Sequence, residues 1–122
     1  SADPKLAAKD IDLIDNMRAY VHLVIVIVMS GRPIEITEQL PLADAWIAAW
    51  LPGTEGSGVS DMLFGDNEFT GKLPYTWQRW NKQLPFNFKA LSNTGCEAPL
   101  FAYGYGLKTT DASPSIPECP KP

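Results

Sequence analysis

Long apolar runs, clustered basic residues and paired metal ligands are all scarce in this sequence of 122 residues. The longest apolar run, Leu23 to Met29, falls far short of the ~20 residues that a membrane-crossing helix needs, and Ser30-Gly31-Arg32-Pro33 ends it. No membrane association is expected. The formal charge is -4, and the ten Lys and Arg residues form no cluster, so the basic stripe that a phosphate backbone requires is missing. Nucleic acid is therefore not an expected partner, and a neutral glycan suits the surface better. His22 is the one histidine. With no Cys, His or carboxylate at ligand spacing around it, it reads as a hydrogen-bonded structural residue opening a core strand rather than as a zinc ligand. Neither a metal nor any other cofactor is expected.

Other motifs are absent as well. Gly53, Gly56 and Gly58 lack the Lys-Ser/Thr ending of a phosphate-cradling loop, and Gly104 with Gly106 precedes no convincing helix. Ser30 and Ser57 stand in no nucleophile motif. The chain begins with Ser, and Asp3, Lys5, Lys9 and Asp10 replace the basic-then-apolar pattern of a leader, so it reads as processed or excised. Cys96 and Cys119 are the only cysteines, and both lie in Pro-rich sequence outside any C-x-x-C spacing. A disulfide is the preferred reading, worth about 3 kcal/mol through restriction of the unfolded chain, and it implies an exported protein, periplasmic or extracellular. Two unpaired thiols are the alternative, because sequence alone does not show proximity.

What is present amounts to one modest core: 45% of residues are hydrophobic and 20% charged. Leu13, Ile14, Met17 and Tyr20 recur at helical spacing opposite Asp12, Asp15, Asn16 and Arg18, which predicts a helix over residues 4–19. His22 to Val28 is a β-branched run of the kind buried on both faces in a central parallel strand. Pro33 to Ile36 continues as a short extended piece, and Ala45 to Trp50 reads as a second strand stopped by Pro52-Gly53. Thr54 is placed to cap a helix beginning at Glu55, with Val59, Met62 and Leu63 facing inward and Gly65 ending it in a left-handed conformation. Gly56 and Gly58 weaken that helix, so their smallness implies close approach to another backbone or a ligand. A short strand is expected around Leu73 to Trp77, and Asn81 to Pro122 is a long irregular tail of the kind that packs on something larger.

Paired carboxylates placed for acid/base work are one catalytic arrangement to look for. Glu35, Glu38, Asp44, Asp61, Asp66 and Glu68 occupy the turns and helix ends where solvated carboxylates usually sit. Glu55 is the exception in context, lying in Pro52-Gly53-Thr54-Glu55-Gly56 between strand and helix. Its plainer role is to stabilise the positive helix end and the turn; direct catalysis is the sharper alternative. Arg32 suits a bidentate contact to a carboxylate at an interface, or is an ordinary surface arginine. Trp46 and Trp50 read as buried. Trp80 and Tyr103 lie in turn-rich sequence and are the candidates for an exposed, sugar-contacting face, with interface packing the plainer reading.

The block Ala48 to Leu73, AAWLPGTEGSGVSDMLFGDNEFTGKL, resembles the second domain of family 3 glycoside hydrolases. Val28-Met29-Ser30-Gly31-Arg32-Pro33 before it and Pro99-Leu100-Phe101-Ala102-Tyr103-Gly104-Tyr105-Gly106-Leu107 after it resemble two further landmarks in the same order. The likeness spans Val21 to Leu107 and is strongest to exo-acting β-glucosidases and β-glucan exohydrolases. It implies the C-terminal part of an α/β/α sandwich with a mostly parallel sheet, incomplete on its own, over residues 1–107, followed by a Pro-rich tail, 108–122. It also implies a larger N-terminal chain or fragment carrying the (β/α)8 barrel, which supplies the nucleophilic Asp, and the earlier sandwich half, which supplies the acid/base Glu. At 122 residues the chain is about half a typical barrel and cannot contain one. The expectation is a chain inactive alone, acting on β-glucosides or β-glucans through that assembly. A free-standing module binding glycan or protein, and an independent hydrolase using Glu55, are the rivals.

Overall fold

The structure, a computed structural model, describes residues 3–51, 53, 56–65 and 68–122. The chain divides into two compact units, Ser1–Pro52 and Gly53–Pro122.

In the first unit, helix α1 (Ala8–Arg18) begins later than the predicted residue 4. The reason lies in residues 4–7, which are held extended: the Glu35 N–H donates to the Pro4 carbonyl at 2.6 Å, and Lys5 bridges Glu35 in parallel fashion. Ala7, at φ -67° and ψ 145°, is still extended, and its carbonyl accepts the first helical bonds from Asp10 and Ile11. Of the predicted apolar stripe only Ile14 is buried; Leu13 is 59% exposed, Met17 43% and Tyr20 86%.

Strand β1 (Ile25–Val28) pairs in parallel with β2 (Ala45–Ala48), in the register Ile25↔Ala45 to Val28↔Ala48. The prediction of a strand from His22, buried on both faces, does not hold for this chain. The Val24 N–H is taken by the Asp44 carboxylate at 2.8 Å instead of by a strand, His22 and Leu23 are exposed, and β2 is the only partner of β1 among the described residues. Parallel strands need a long crossover. Here residues 29–44 provide it, with a short 3-10 turn, Leu40–Leu42, whose first carbonyl accepts the Trp46 indole N–H at 3.1 Å. Trp46 and Trp50 are half-buried rather than fully enclosed. Val28, Ile36 and Ile14 are the buried apolar residues of this unit.

In the second unit, α2 (Gly56–Leu63) ends at Gly65, whose φ of +80° is the left-handed termination that the sequence predicts. The predicted cap at Thr54 and helix start at Glu55 lie outside the described residues. Val59 is half-buried, whereas Leu63 is 37% exposed instead of facing inward. The strand predicted at Leu73 to Trp77 is replaced by two separated points of antiparallel pairing. Leu73 exchanges bonds with Tyr105 and Gly104, and Trp77 with Phe101 and Leu100, each at 2.8 to 2.9 Å. A bend at Pro74 and Tyr75 separates them. Gly106 packs so close to the Gly71 carbonyl that a Cβ there would collide with it. From Asn81 onward the chain has only two 3-10 turns, Asn81–Gln83 and Gly95–Glu97, and the Cys96–Cys119 disulfide returns the C-terminal segment to the second of them. The disulfide reading of the two cysteines holds.

Candidate functional site

The residues singled out from sequence fall in both units, Arg32 in the first and Gly56, Trp80 and Tyr103 in the second. Glu55 lies outside the described residues, and Gly56 opens α2. Arg32 is exposed, its backbone closed into a small turn in which the Ser30 hydroxyl donates to the Arg32 carbonyl at 2.7 Å. Tyr103 is 72% exposed, as expected, whereas Trp80 is only 5% exposed and offers little ring face to a sugar. Trp80 is enclosed because the turn Trp77-Gln78-Arg79-Trp80 is the core of the second unit, all four residues being buried. His22 is exposed rather than part of a core strand.

The described carboxylates stand apart in role. Asp44 accepts from Val24 N–H and, at 3.4 Å, from the Arg18 guanidinium, joining α1 to the β1 entrance. Asp111 accepts from Lys108 N–H at 2.8 Å to form a turn in the tail. Asp61 and Glu68 are exposed. Among the described residues no three His, Cys, Asp or Glu side chains gather as a cation site would require.

The polar groups that sequence reading missed are buried Gln78 and Arg79 and half-buried Gln83. Arg79 is 3% exposed; its Nε donates to the Ala98 carbonyl at 3.2 Å and an Nη to the Pro99 carbonyl at 3.4 Å. Burial pulls its guanidinium below the usual arginine value. The Gln83 oxygen accepts from Arg79 and Trp80 N–H at 2.6 and 3.4 Å, while its nitrogen donates to the Glu97 and Ala98 carbonyls at 3.2 and 3.1 Å. Polar letters in a turn-rich run read as solvated. For Gln78 and Arg79 the signal that was available is their position between two tryptophans.

This knot forms one end of an open cleft of about 450 Å³, lined by Gln83, Phe86, Asn87, Leu91, Ser92 and Glu97 among others. Apolar and polar side chains share its walls. Phe86 is half-buried, and its ring lies 5.6 Å from that of Phe88, tilted by 44°. The Ser92 hydroxyl is used locally, donating to the Thr94 carbonyl at 2.9 Å, and Asn87 accepts from Lys89 N–H with its oxygen.

Two parallel strands joined by a crossover, with no third strand beside them among the described residues, and a helix in each unit are consistent with an incomplete α/β fragment. The model of the glycosyl hydrolase family 3 C-terminal domain matches residues 1–109, and the chain belongs to that family. It is 33% identical over 118 residues to a periplasmic β-glucosidase of Salmonella typhimurium, with 81% of this chain aligned. It is also 34% identical over 104 residues to a xylan 1,4-β-xylosidase of Xylanibacter ruminicola, again with 81% aligned. Its fold is similar to that of a β-glucosidase from Listeria innocua solved in complex with isofagomine, at a TM-score of 0.76 and 24% identity over 88% of this chain. The chain spans only 15% and 12% of the length of the two relatives and 18% of the Listeria chain.

Proposed function

We propose that this polypeptide completes the sandwich domain of a retaining, exo-acting β-glucosidase or β-glucan exohydrolase and supports its active-site cleft, both catalytic carboxylates residing on a larger N-terminal part. In this reading residues 1–107 belong to the sandwich and 108–122 are its tail. The observation that carries it is the family match over residues 1–109 in a chain so much shorter than its relatives. Physical chemistry supports it independently. A parallel sheet with two strands among the described residues, beside a helix showing Leu13 and Met17 to solvent, is not a finished core. The remainder of the enzyme is the surface that covers it. Arg32 then contacts that remainder, and Glu55 and Gly56 support the strand-to-helix turn.

Alone, the chain is inactive. The disulfide and the similarity to a periplasmic relative support export. Native mass spectrometry of the unreduced material, followed by denaturation, is the test: release of this chain together with a much larger one, in a complex that hydrolyses an aryl β-glucoside, is the expected result. A folded, monomeric species carrying no activity in any complex would overturn it in favour of a free-standing binding module. Preference for an aryl β-xyloside would move the substrate toward that of the Xylanibacter relative. In the active complex, Glu55→Gln lowers the melting temperature while turnover persists; lost turnover at an unchanged melting temperature would make Glu55 a direct participant.

A further inference from the structure

Around the cleft between Gln83 and Glu97, part of the polar chemistry stays free. Gln83 and Ser92 spend their polar atoms on the protein itself. Glu97 does not: its backbone carbonyl is held by Gln83, but its carboxylate, on an exposed side chain, engages no described group. The Asn87 amide nitrogen is likewise uncommitted while its oxygen is fixed by Lys89 N–H. Phe86 and Leu91, both half-buried, line the same cleft. An acceptor pair, a donor pair and an aromatic face around one opening match the needs of a pyranose ring. Such a ring presents vicinal hydroxyls at its edge and apolar C–H groups on its face.

The acceptor wall is also held in place. Cys96, immediately before Glu97, is tied to Cys119, and Gln83 grips the Glu97 carbonyl from the other side. The backbone that carries the carboxylate is thus fixed, which limits the ordering cost of ligand binding to the Glu97 side chain itself. The Asn87 amide is oriented in the same way by its own turn.

We propose that this cleft is a saccharide-binding site, in which the Glu97 carboxylate accepts from two neighbouring hydroxyls of one sugar unit, the Asn87 amide donates to a third oxygen, and Phe86 lies against the ring. The ligand class is a neutral β-linked gluco-oligosaccharide; this choice of sugar rests on the proposed function, whereas the cleft itself does not. Neutrality follows from the lone carboxylate, which disfavours an acidic sugar.

The test is a titration of the full 122-residue chain with cellotriose and, separately, laminaritriose, followed by amide chemical shifts. Saturable shifts confined to residues 86–97 are expected. Glu97→Gln removes the charge from the accepting group and weakens binding about ten-fold, and Asn87→Ala weakens it several-fold, both with the remaining spectrum unchanged. Because both side chains are exposed, these variants leave the core intact; Phe86→Leu, which keeps the bulk but removes the aromatic face, is the third variant and also weakens binding. No saturable shift up to ~10 mM of either sugar, or shifts that Glu97→Gln and Asn87→Ala leave untouched, overturns the site. Binding by the chain when the complex hydrolyses no glycoside would uphold the site while sinking the proposed function. An active complex whose small chain shows no such shifts would do the reverse.

Discussion

Four hydrogen bonds converge on the Gln83 amide, two accepted and two donated, and they join the turn at Arg79-Trp80 to the turn at Glu97-Ala98. Replacing Gln83 by Leu keeps the volume and removes the acceptor from the N–H groups of buried Arg79 and Trp80 and the donor from the Glu97 carbonyl, while the Ala98 carbonyl keeps its bond from Arg79 Nε. A loss of about 2 kcal/mol is expected, read as a lowered urea midpoint at constant slope. Tyr105 tests the opposite case. Its hydroxyl is buried without a hydrogen-bond partner among the described residues, and its ring stacks on Phe101 at 4.7 Å. Burial first, and the charge of Asp111 second, raise its ionisation above the ordinary value of 10.0. A group raised in the fold gives stability that is intact below its unfolded value and is lost as pH climbs through the folded one. The chain's stability therefore falls above pH 10.0, and Tyr105→Phe falls less steeply while being no less stable at pH 7. Equal slopes for both proteins in alkaline urea titrations would contradict this. None of these roles was legible in the sequence. Gln83 and Arg79 carry surface letters, and Trp80 looked exposed, because burial here comes from loops folding on one another rather than from any periodic pattern.

At the scale of elements, the parallel pair β1 and β2 was legible, and its limits were not. The β-branched run and the apolar Ala45 to Trp50 stretch each announce a strand, but a strand lasts only as long as its neighbour does, and that neighbour lies far along the chain. Asp44 decides where β1 begins by capturing the Val24 N–H. Asp44→Asn keeps an acceptor for that bond and forfeits only an ion pair whose side chains are 42% and 39% exposed, so it costs at most about 0.5 kcal/mol. Asp44→Ala forfeits both and costs about 1 kcal/mol more, with faster amide exchange at Val24 as the local readout. A matching cost for the two variants would assign the whole effect to the ion pair. The Gly71–Gly106 approach belongs to this scale too, since it lets the two strand-like segments of the second unit close together. Gly106→Ala drives a methyl into a backbone carbonyl that cannot swing aside like a side chain, and a loss of about 2 kcal/mol is expected from thermal unfolding.

Across the whole molecule, family membership was readable because three landmark blocks occur in order over most of the chain, and the same long tail that defeats periodicity is where the disulfide acts. Cysteine count and Pro-rich context favoured pairing without proving it; the fold brings the two Cα atoms to 5.5 Å, within the reach of a disulfide. Cys119 is 23 positions beyond Cys96, and the segment between them contributes no helix longer than a single 3-10 turn and no strand. Such a segment holds its place through few backbone bonds of its own, so cross-linking removes much of the freedom that the unfolded chain would otherwise recover. The loop-closure argument gives about 3 kcal/mol for a loop of this length. Reduction, or Cys119→Ser, therefore lowers the urea midpoint of the full chain by that order, while the unreduced, unfolded chain yields no reactive thiol. The loss should concentrate in the second unit: amide exchange quickens between residues 95 and 119, and the β1–β2 pairing of the first unit keeps its protection. Unfolding of both units together on reduction would mean that the bond governs a single cooperative core, and a two-unit description of this chain would then fail energetically.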